Sequence, residues 1–280
     1  MRTVLSLLLT MYLLSSCTTA EFIQHTPTLA NTGQHTDKGQ FTGRALYSTG
    51  SSTSNSVEND QGPSPYESVN GFQAQGSYAV SKSLAIQSSF MHSGEKGGSE
   101  DGGTKTIVYN YDRNITEAGL AYFSPISKNK DLFIELGAGT GFGSYKATEN
   151  ASVLVPGGRF YNHNVLKVYL QPSIYYVSKN VQVSGGFKFS IIRFNDIVSD
   201  YSPAERETRA LPSSNNLSTN TLDFFAKADF FTNKLPWLGL HVQLLTSTDL
   251  KKQFNTNQND NNMGLGLCFK FGEMLQQEKK

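Results

Sequence analysis

Cysteine and long hydrophobic runs are both scarce in this sequence. There are two cysteines, Cys17 and Cys268, in 280 residues. A structural zinc site made of cysteines needs several thiolates, so this class of site is excluded. The longest apolar stretch, Val4 to Leu14, covers about eleven residues, whereas a membrane-spanning helix needs roughly twenty. The sequence therefore predicts neither a cysteine-based metal centre nor a transmembrane helix.

An excess of charge of one sign is also lacking. The formal net charge is +1, and the basic residues form no stripe or cluster. Proteins that bind nucleic acid carry a basic footprint, so a nucleic-acid partner is not expected. The sequence also has no H-E-x-x-H, no G-x-S-x-G and no phosphate-binding glycine loop. No metal and no catalytic residues are predicted from motifs.

The composition favours β-structure. The chain has 25 glycines, 18 phenylalanines and 13 tyrosines, with many Ser and Asn and few helix-forming runs. Such a composition is typical of strands joined by polar turns. A chain of this length can form one barrel or sandwich without a second domain.

The N-terminus has the pattern of a cleaved signal. Arg2 precedes the apolar stretch, which has the length of a signal-peptide core. Leu14, Ser15, Ser16 and Cys17 resemble the lipobox of bacterial lipoproteins. This resemblance implies that residues 1–16 are a signal peptide and that Cys17 carries covalent lipid, such as palmitate, as the only attached group. With Cys17 acylated, Cys268 has no partner for an internal disulfide.

Residues 17–37 are rich in threonine and aperiodic, and we expect them to form a flexible, lipid-anchored tether. Residues 38–272 contain about ten segments in which apolar and polar residues alternate with period two. The approximate spans are 38–48, 70–80, 83–93, 105–124, 130–147, 160–177, 180–195, 219–231, 236–248 and 262–272. Residues 273–280 form a charged tail, which we expect in the periplasm.

The connections alternate in length. Short connections follow the even segments, whereas long polar connections follow the odd ones, at roughly 49–69, 94–104, 148–159, 196–218 and 249–261. Outer-membrane barrels have this connectivity, with short periplasmic turns at one rim and long external loops at the other. The prediction is an all-β, closed, antiparallel, up-and-down transmembrane barrel of about ten strands, within a range of 8–12. A periplasmic sandwich or soluble barrel remains the alternative.

Glycine alternates strictly in the segment FIELGAGTGFGSY, from Phe133 to Tyr145. This segment resembles the strands of small outer-membrane β-barrel proteins of diderm bacteria. The resemblance implies a location in the outer membrane with external loops. Aromatic residues also cluster beside the short turns, as expected for an interfacial girdle: Tyr122, Phe123, Tyr176, Phe231, Trp237 and Phe271.

The polar faces of the segments carry nearly balanced charge, and we expect them to line the lumen. A ten-stranded barrel is only slightly wider than the eight-stranded kind that side chains fill, so a network of ion pairs and hydrogen bonds is favoured over an open pore. A polar ligand site is the alternative interpretation. The lumen residues are Arg44, Glu117, Glu135, Lys167, Lys188, Asp223, Lys227, Asp229, His241 and Lys270.

Three functional hypotheses follow. The first is a non-enzymatic outer-membrane lipoprotein that acts as a surface binding scaffold or as an accessory subunit of an outer-membrane complex. Its expected partners are outer-membrane lipid and that outer-membrane complex, and no small-molecule ligand is identified. The second is a hydrolase of peptide or lipid at the outer rim, and the third is a narrow solute transporter. The rim residues available to a hydrolase are His92, Asp112, His163, Asp196, Asp200, Glu205 and Asp249.

Overall fold

A computed structural model describes residues 30–52, 64–101, 104–149, 158–208, 215, 217–250 and 260–272. Ten strands dominate this part of the chain. They are β1 (Phe41–Ser52), β2 (Ser64–Ala79), β3 (Leu84–Asp101), β4 (Thr104–Pro125), β5 (Leu132–Glu149), β6 (Arg159–Val177), β7 (Val181–Ser199), β8 (Ser218–Phe231), β9 (Leu238–Asp249) and β10 (Asp260–Phe271). One short helix, α1 (Pro203–Thr208), lies between β7 and β8. No helix among the described residues is long and apolar enough to cross a membrane.

Each strand pairs antiparallel with its neighbours in the chain, and β1 pairs with β10 to close the barrel. The closing ladder runs from Phe41 opposite Phe271 to Ser52 opposite Asp260. Closure gives every strand two partners and leaves no open sheet edge. The predicted closed, ten-stranded, antiparallel barrel is confirmed.

Two rims differ in their connections. Turns of a few residues join β2 to β3, β4 to β5, β6 to β7 and β8 to β9, and we call this end the short-turn rim. The opposite end, which we call the long-loop rim, carries four longer connections, at 53–63, 150–158, 200–217 and 250–259, and the two-residue connection at 102–103. The predicted long loop at 94–104 is wrong for most of its length, because β3 continues to Asp101 and β4 begins at Thr104. Both strands continue through this polar stretch because the hydrogen bonds between their backbones do not require apolar side chains.

The outer wall is apolar. Ile134 is 45% exposed, Phe187 44% and Phe224 52%, although all three lie within regular strands. A closed barrel whose large hydrophobic side chains face outward presents a continuous apolar belt, which is the opposite of a water-soluble core.

Aromatic side chains face outward around the short-turn rim. Trp237 stacks on Phe271 with ring centroids 6.1 Å apart, and Phe271 stacks on Phe41 at 6.2 Å. The prediction that Phe123 and Phe231 belong to this ring is wrong, because both are buried inside the barrel. Strand alternation forces this result: the neighbour of an outward aromatic must point inward. The outward ring consists of Phe41, Tyr78, Tyr122, Tyr176, Phe230 and Phe271, with the partly exposed Trp237 stacked against it.

Candidate functional site

The ten strands enclose a lumen, and charged side chains fill its middle. All ten charged or titratable residues that the sequence places on the inner face are buried, with exposures from 0% to 6%. They project inward because strand alternation sets each one opposite an outward apolar neighbour. Six of these ten residues form two clusters, one nearer the short-turn rim and one nearer the long-loop rim.

The lower ion cluster consists of Arg44, Asp229 and His241. The Arg44 guanidinium donates to Asp229, with Nη2 2.7 Å from Oδ2. His241 Nδ1 lies 2.5 Å from the other carboxylate oxygen, Oδ1. The cluster joins β1, β8 and β9, and none of its side chains reaches solvent. A buried charge is stable only with such partners, since removing one partner typically costs about 3–5 kcal/mol.

The upper ion cluster consists of Glu117, Lys167 and Lys188. The Glu117 carboxylate forms an ion pair with Lys167, with 2.9 Å between Oε1 and Nζ, and its Oε2 accepts a hydrogen bond from Lys188 Nζ at 2.5 Å. Lys188 Nζ also lies 3.8 Å from the ring centroid of Tyr169, a cation–π contact. Strands β4, β6 and β7 are thereby tied together across the lumen.

The glycine run of β5 creates the space for this upper cluster. A Cβ added at Gly139 would lie 2.6 Å from the Tyr169 hydroxyl, and one at Gly141 would lie 2.8 Å from Glu117 Cγ. Real Cβ atoms do not approach other atoms so closely. The alternating glycines therefore form a groove in the inner wall that accommodates Tyr169 and Glu117.

Residues Ala30 to Asp37, which we call the lumen segment, lie inside the barrel. Five of its side chains are at most 5% exposed: Ala30, Asn31, Thr32, Gln34 and His35. The expectation of a flexible tether is therefore wrong for residues 30–37. Residues 17–29, including Cys17, lie outside the described residues, as do the predicted signal peptide (1–16) and the predicted periplasmic tail (273–280). Composition alone could not reveal the segment, because its partners come from distant strands.

The lumen segment is held mainly by polar contacts. Arg44 donates to the Thr32 carbonyl at 2.8 Å and to Gln34 Oε1 at 2.7 Å. Glu135 accepts from the Gly33 backbone N–H at 3.2 Å. Lys227 Nζ donates to the Ala30 carbonyl. The predicted lumen charges thus bind this chain's own N-terminal segment as well as one another.

The remaining predicted lumen residues lie in the same interior. Glu135 also accepts from Gln87 at 2.9 Å. Asp223 accepts a hydrogen bond from Ser247. Lys270 is buried near the short-turn end of β10.

Apolar clusters close the lumen at both ends of the charged zone. Near the short-turn rim, Phe133 stacks on Tyr175 with centroids 5.1 Å apart, and His35 packs against Phe123 at 5.8 Å. Further toward the long-loop rim, His163 stacks on Tyr145 at 4.7 Å and meets Phe194 edge-on. Sequence reasoning did not single out either aromatic cluster. The sequence did contain a signal for both clusters, because several aromatic residues of β4 to β7 occupy inward-facing positions of the period-two pattern.

The residues considered for a rim hydrolase are not brought together. His92 faces outward and bonds to Asn114 at 2.9 Å, whereas His163 is buried inside. Asp112, Asp196 and Asp200 are exposed. The side chains of Glu205 and Asp249 lie outside the described part. Among described residues, no three His, Cys, Asp or Glu side chains converge as metal ligands would.

No known family model and no curated protein sequence matches this chain. Solved structures similar to it include the translocator domain of the autotransporter NalP from Neisseria meningitidis, with a TM-score of 0.49 and 10% identity over 85% of this chain and 91% of that one. The outer membrane protease OmpT from Escherichia coli has a TM-score of 0.44 and 10% identity, over 87% and 99%. The attachment invasion locus protein Ail of Yersinia pestis has a TM-score of 0.35 and 12% identity, over 84% and 99%.

Proposed function

We propose that this protein is a non-conducting outer-membrane barrel that serves as a rigid surface scaffold or as an accessory subunit of an outer-membrane complex. The single observation that carries the proposal is the combination of an apolar outer wall with a lumen filled by the chain's own groups. The outer wall is suited to lipid, since a membrane barrel needs an apolar band with aromatic residues at its edges. The middle of the lumen is occupied by buried charged side chains and by the lumen segment.

The lengths of the connections support an orientation in which the short-turn rim faces the periplasm. In outer-membrane barrels the short turns face the periplasm and the long loops face outward. The long-loop rim would then present the polar connecting segments to the exterior, where binding residues on a rigid scaffold are usually found. Acylation of Cys17 would add a second attachment to the membrane.

A rim hydrolase is disfavoured by the separation of His92 and His163 on opposite faces of the wall. A general base must lie within hydrogen-bond reach of its nucleophile or water. A transporter is disfavoured because a solute would have to displace both the lumen segment and the buried ion clusters.

Two measurements test the proposal. The Cys17→Ala variant should stay in the membrane fraction after urea or alkaline extraction, because the barrel wall itself anchors the protein. Release of this variant would contradict membrane insertion.

In planar bilayers the full chain should show no steady conductance. A variant lacking residues 30–35 serves as the matched control and should conduct more than the full chain. Steady conductance of the full chain would favour a transporter.

A further inference from the structure

A row of polar side chains crosses the outer wall toward the long-loop rim. Asn114 on β4, Ser144 on β5 and Asn164 on β6 are directly opposite one another in the antiparallel ladders. All three side chains point outward, because they alternate along the strands with residues that are buried inside the barrel: Arg113, Ile115, Tyr145, His163 and Val165. Most outward positions of these strands on the short-turn side of the row are apolar. The row therefore marks the change from an apolar to a polar outer wall.

The row lies at the level expected for lipid head groups. On β5 the outward apolar side chains extend from Leu132 to Phe142, over ten residues. These residues rise about 33 Å along the strand, which a tilt of 35–45° reduces to about 25 Å, the height of the apolar band in outer-membrane barrels. Beyond the row, the exposed Asp112 and Lys146 are opposite each other. Hydrocarbon would end at Phe142, and the row follows directly.

A cavity of about 380 Å³ lies among these residues. Its lining includes Asn114, Ser144 and Asn164 together with Thr116 and Phe142. The small side chain of Ser144 lies between the two asparagines, and Phe142, which is 68% exposed, comes next on the short-turn side. The cavity has a polar part toward the long-loop rim and an apolar part toward the belt. Such a combination suits an amphiphile.

The polar groups of the cavity include both donors and acceptors. Asn114 Oδ1 lies 2.9 Å from His92 Nδ1, which leaves the Asn114 Nδ2 hydrogens for another partner. Asn164 Nδ2 donates to Asp196 at 2.9 Å, which leaves the Asn164 carbonyl oxygen as an acceptor. The Ser144 hydroxyl can donate and accept. Amides and sugar hydroxyls use such a mixed set, whereas a phosphate only accepts and is bound best by cations. The cavity therefore suits a neutral head group rich in hydroxyl or amide groups.

We propose that this cavity binds the head group of a glycolipid in the outer leaflet of the membrane. The hydroxyl or amide groups of the lipid bind to Asn114, Ser144 and Asn164, and its acyl chain lies along Phe142 and the apolar wall. The cavity is continuous with the apolar belt, so a ligand embedded in the same bilayer reaches it by lateral diffusion. The inference rests on the proposed outer-membrane function and adds a specific lipid partner to it.

The test compares lipid retention by the full-length chain and by three variants. Each is reconstituted into phosphatidylcholine vesicles that contain glucosylceramide, whose sugar hydroxyls and amide match the polar groups of the cavity. Vesicle flotation shows whether the chain inserts, and native mass spectrometry after detergent extraction counts the lipids that stay bound. Ser144→Leu fills the cavity and Asn164→Leu removes its acceptor. Asn70→Leu is the matched control, because Asn70 is an exposed amide on β2 outside the cavity.

The unsubstituted chain should retain glucosylceramide in excess of its share in the vesicles. Ser144→Leu and Asn164→Leu should reduce this retention about two- to tenfold, as expected for the loss of a hydrogen bond. Asn70→Leu should leave it unchanged.

Two results would overturn the lipid site and leave the proposed function standing. The first is equal retention of both lipids, or equal retention by all variants, in chains that float with the vesicles. The second is displacement of the bound lipid by free glucose, since the cavity would then recognise a soluble sugar. Failure of the unsubstituted chain to float would instead overturn the proposed function itself.

Discussion

Arg44 on β1 and Asp229 on β8 form an ion pair across the lumen, with 2.7 Å between Nη2 and Oδ2 and at most 1% exposure of either side chain. Two strands, β10 and β9, separate them around the wall. Arg44 uses its other donors to hold the lumen segment through Thr32 and Gln34. The pair therefore couples the barrel wall to the segment inside it.

Removing the Asp229 carboxylate should leave the Arg44 charge buried without its main partner. We expect Asp229→Ala to lower the free energy of unfolding by about 3–5 kcal/mol. Urea unfolding in lipid vesicles, followed by the fluorescence of Trp237, the single tryptophan, measures this change. The exposed Asp200→Ala is the control and should change the value by less than about 0.5 kcal/mol. Equal effects of both variants would contradict the importance of the pair.

The alternating glycines of β5 should tolerate alanine unequally. A Cβ at Gly139 would clash first with the Ala118 carbonyl oxygen of β4 and would lie 2.6 Å from the Tyr169 hydroxyl, whereas one at Gly137 finds its nearest atom at 3.5 Å. Gly139→Ala should destabilise the barrel by about 1–3 kcal/mol through overpacking, and Gly137→Ala should be nearly neutral. Unfolding midpoints of the two variants in the same detergent give the comparison. Equal tolerance would mean that the groove for Tyr169 is not required.

A charge on the outer wall should be costly only where the wall meets hydrocarbon. Phe187 faces outward in the middle part of β7, and Val198 faces outward near its long-loop end. Phe187→Arg should cost about 2–4 kcal/mol in a bilayer, against about 0–1 kcal/mol for Val198→Arg. Refolding equilibria in lipid vesicles measure both values. If Phe187→Arg were harmless, the wall would face water and the molecule would not be a membrane barrel.

His163 should be replaceable by an aromatic residue without a polar group. Neither of its ring nitrogens has a hydrogen-bond partner among the described residues, and the ring is packed against Tyr145 and Phe194. His163→Phe should keep or increase stability, because it removes buried polar atoms while preserving the stacking. His163→Ala should destabilise by about 2–4 kcal/mol by leaving a cavity. Thermal unfolding separates the two, and a large loss in His163→Phe would indicate an unrecognised polar role.

The sequence by itself determined the architecture. Strict alternation, as in Leu166 to Tyr176, assigns each side chain to the inner or outer face because the strand period is two. The alternation of short and long connections then yields an even, antiparallel barrel. The inward charges, including Glu135 and Lys188, could be identified from the same period. The same period decides between two adjacent aromatics such as Tyr122 and Phe123: Phe123 lies an even number of residues from the inward Glu117 and therefore also faces inward, so its assignment to the outer aromatic ring did not follow the alternation.

Only the tertiary structure decided which charges meet and where the N-terminal segment lies. Arg44 and Asp229 are 185 residues apart, and Glu117 meets Lys188 across 71 residues, so their pairing depends on the curvature and register of the closed sheet. The lumen segment carries no periodic pattern of its own. Its conformation is fixed by hydrogen bonds to the inner wall, and those partners converge only after ten strands have closed around it.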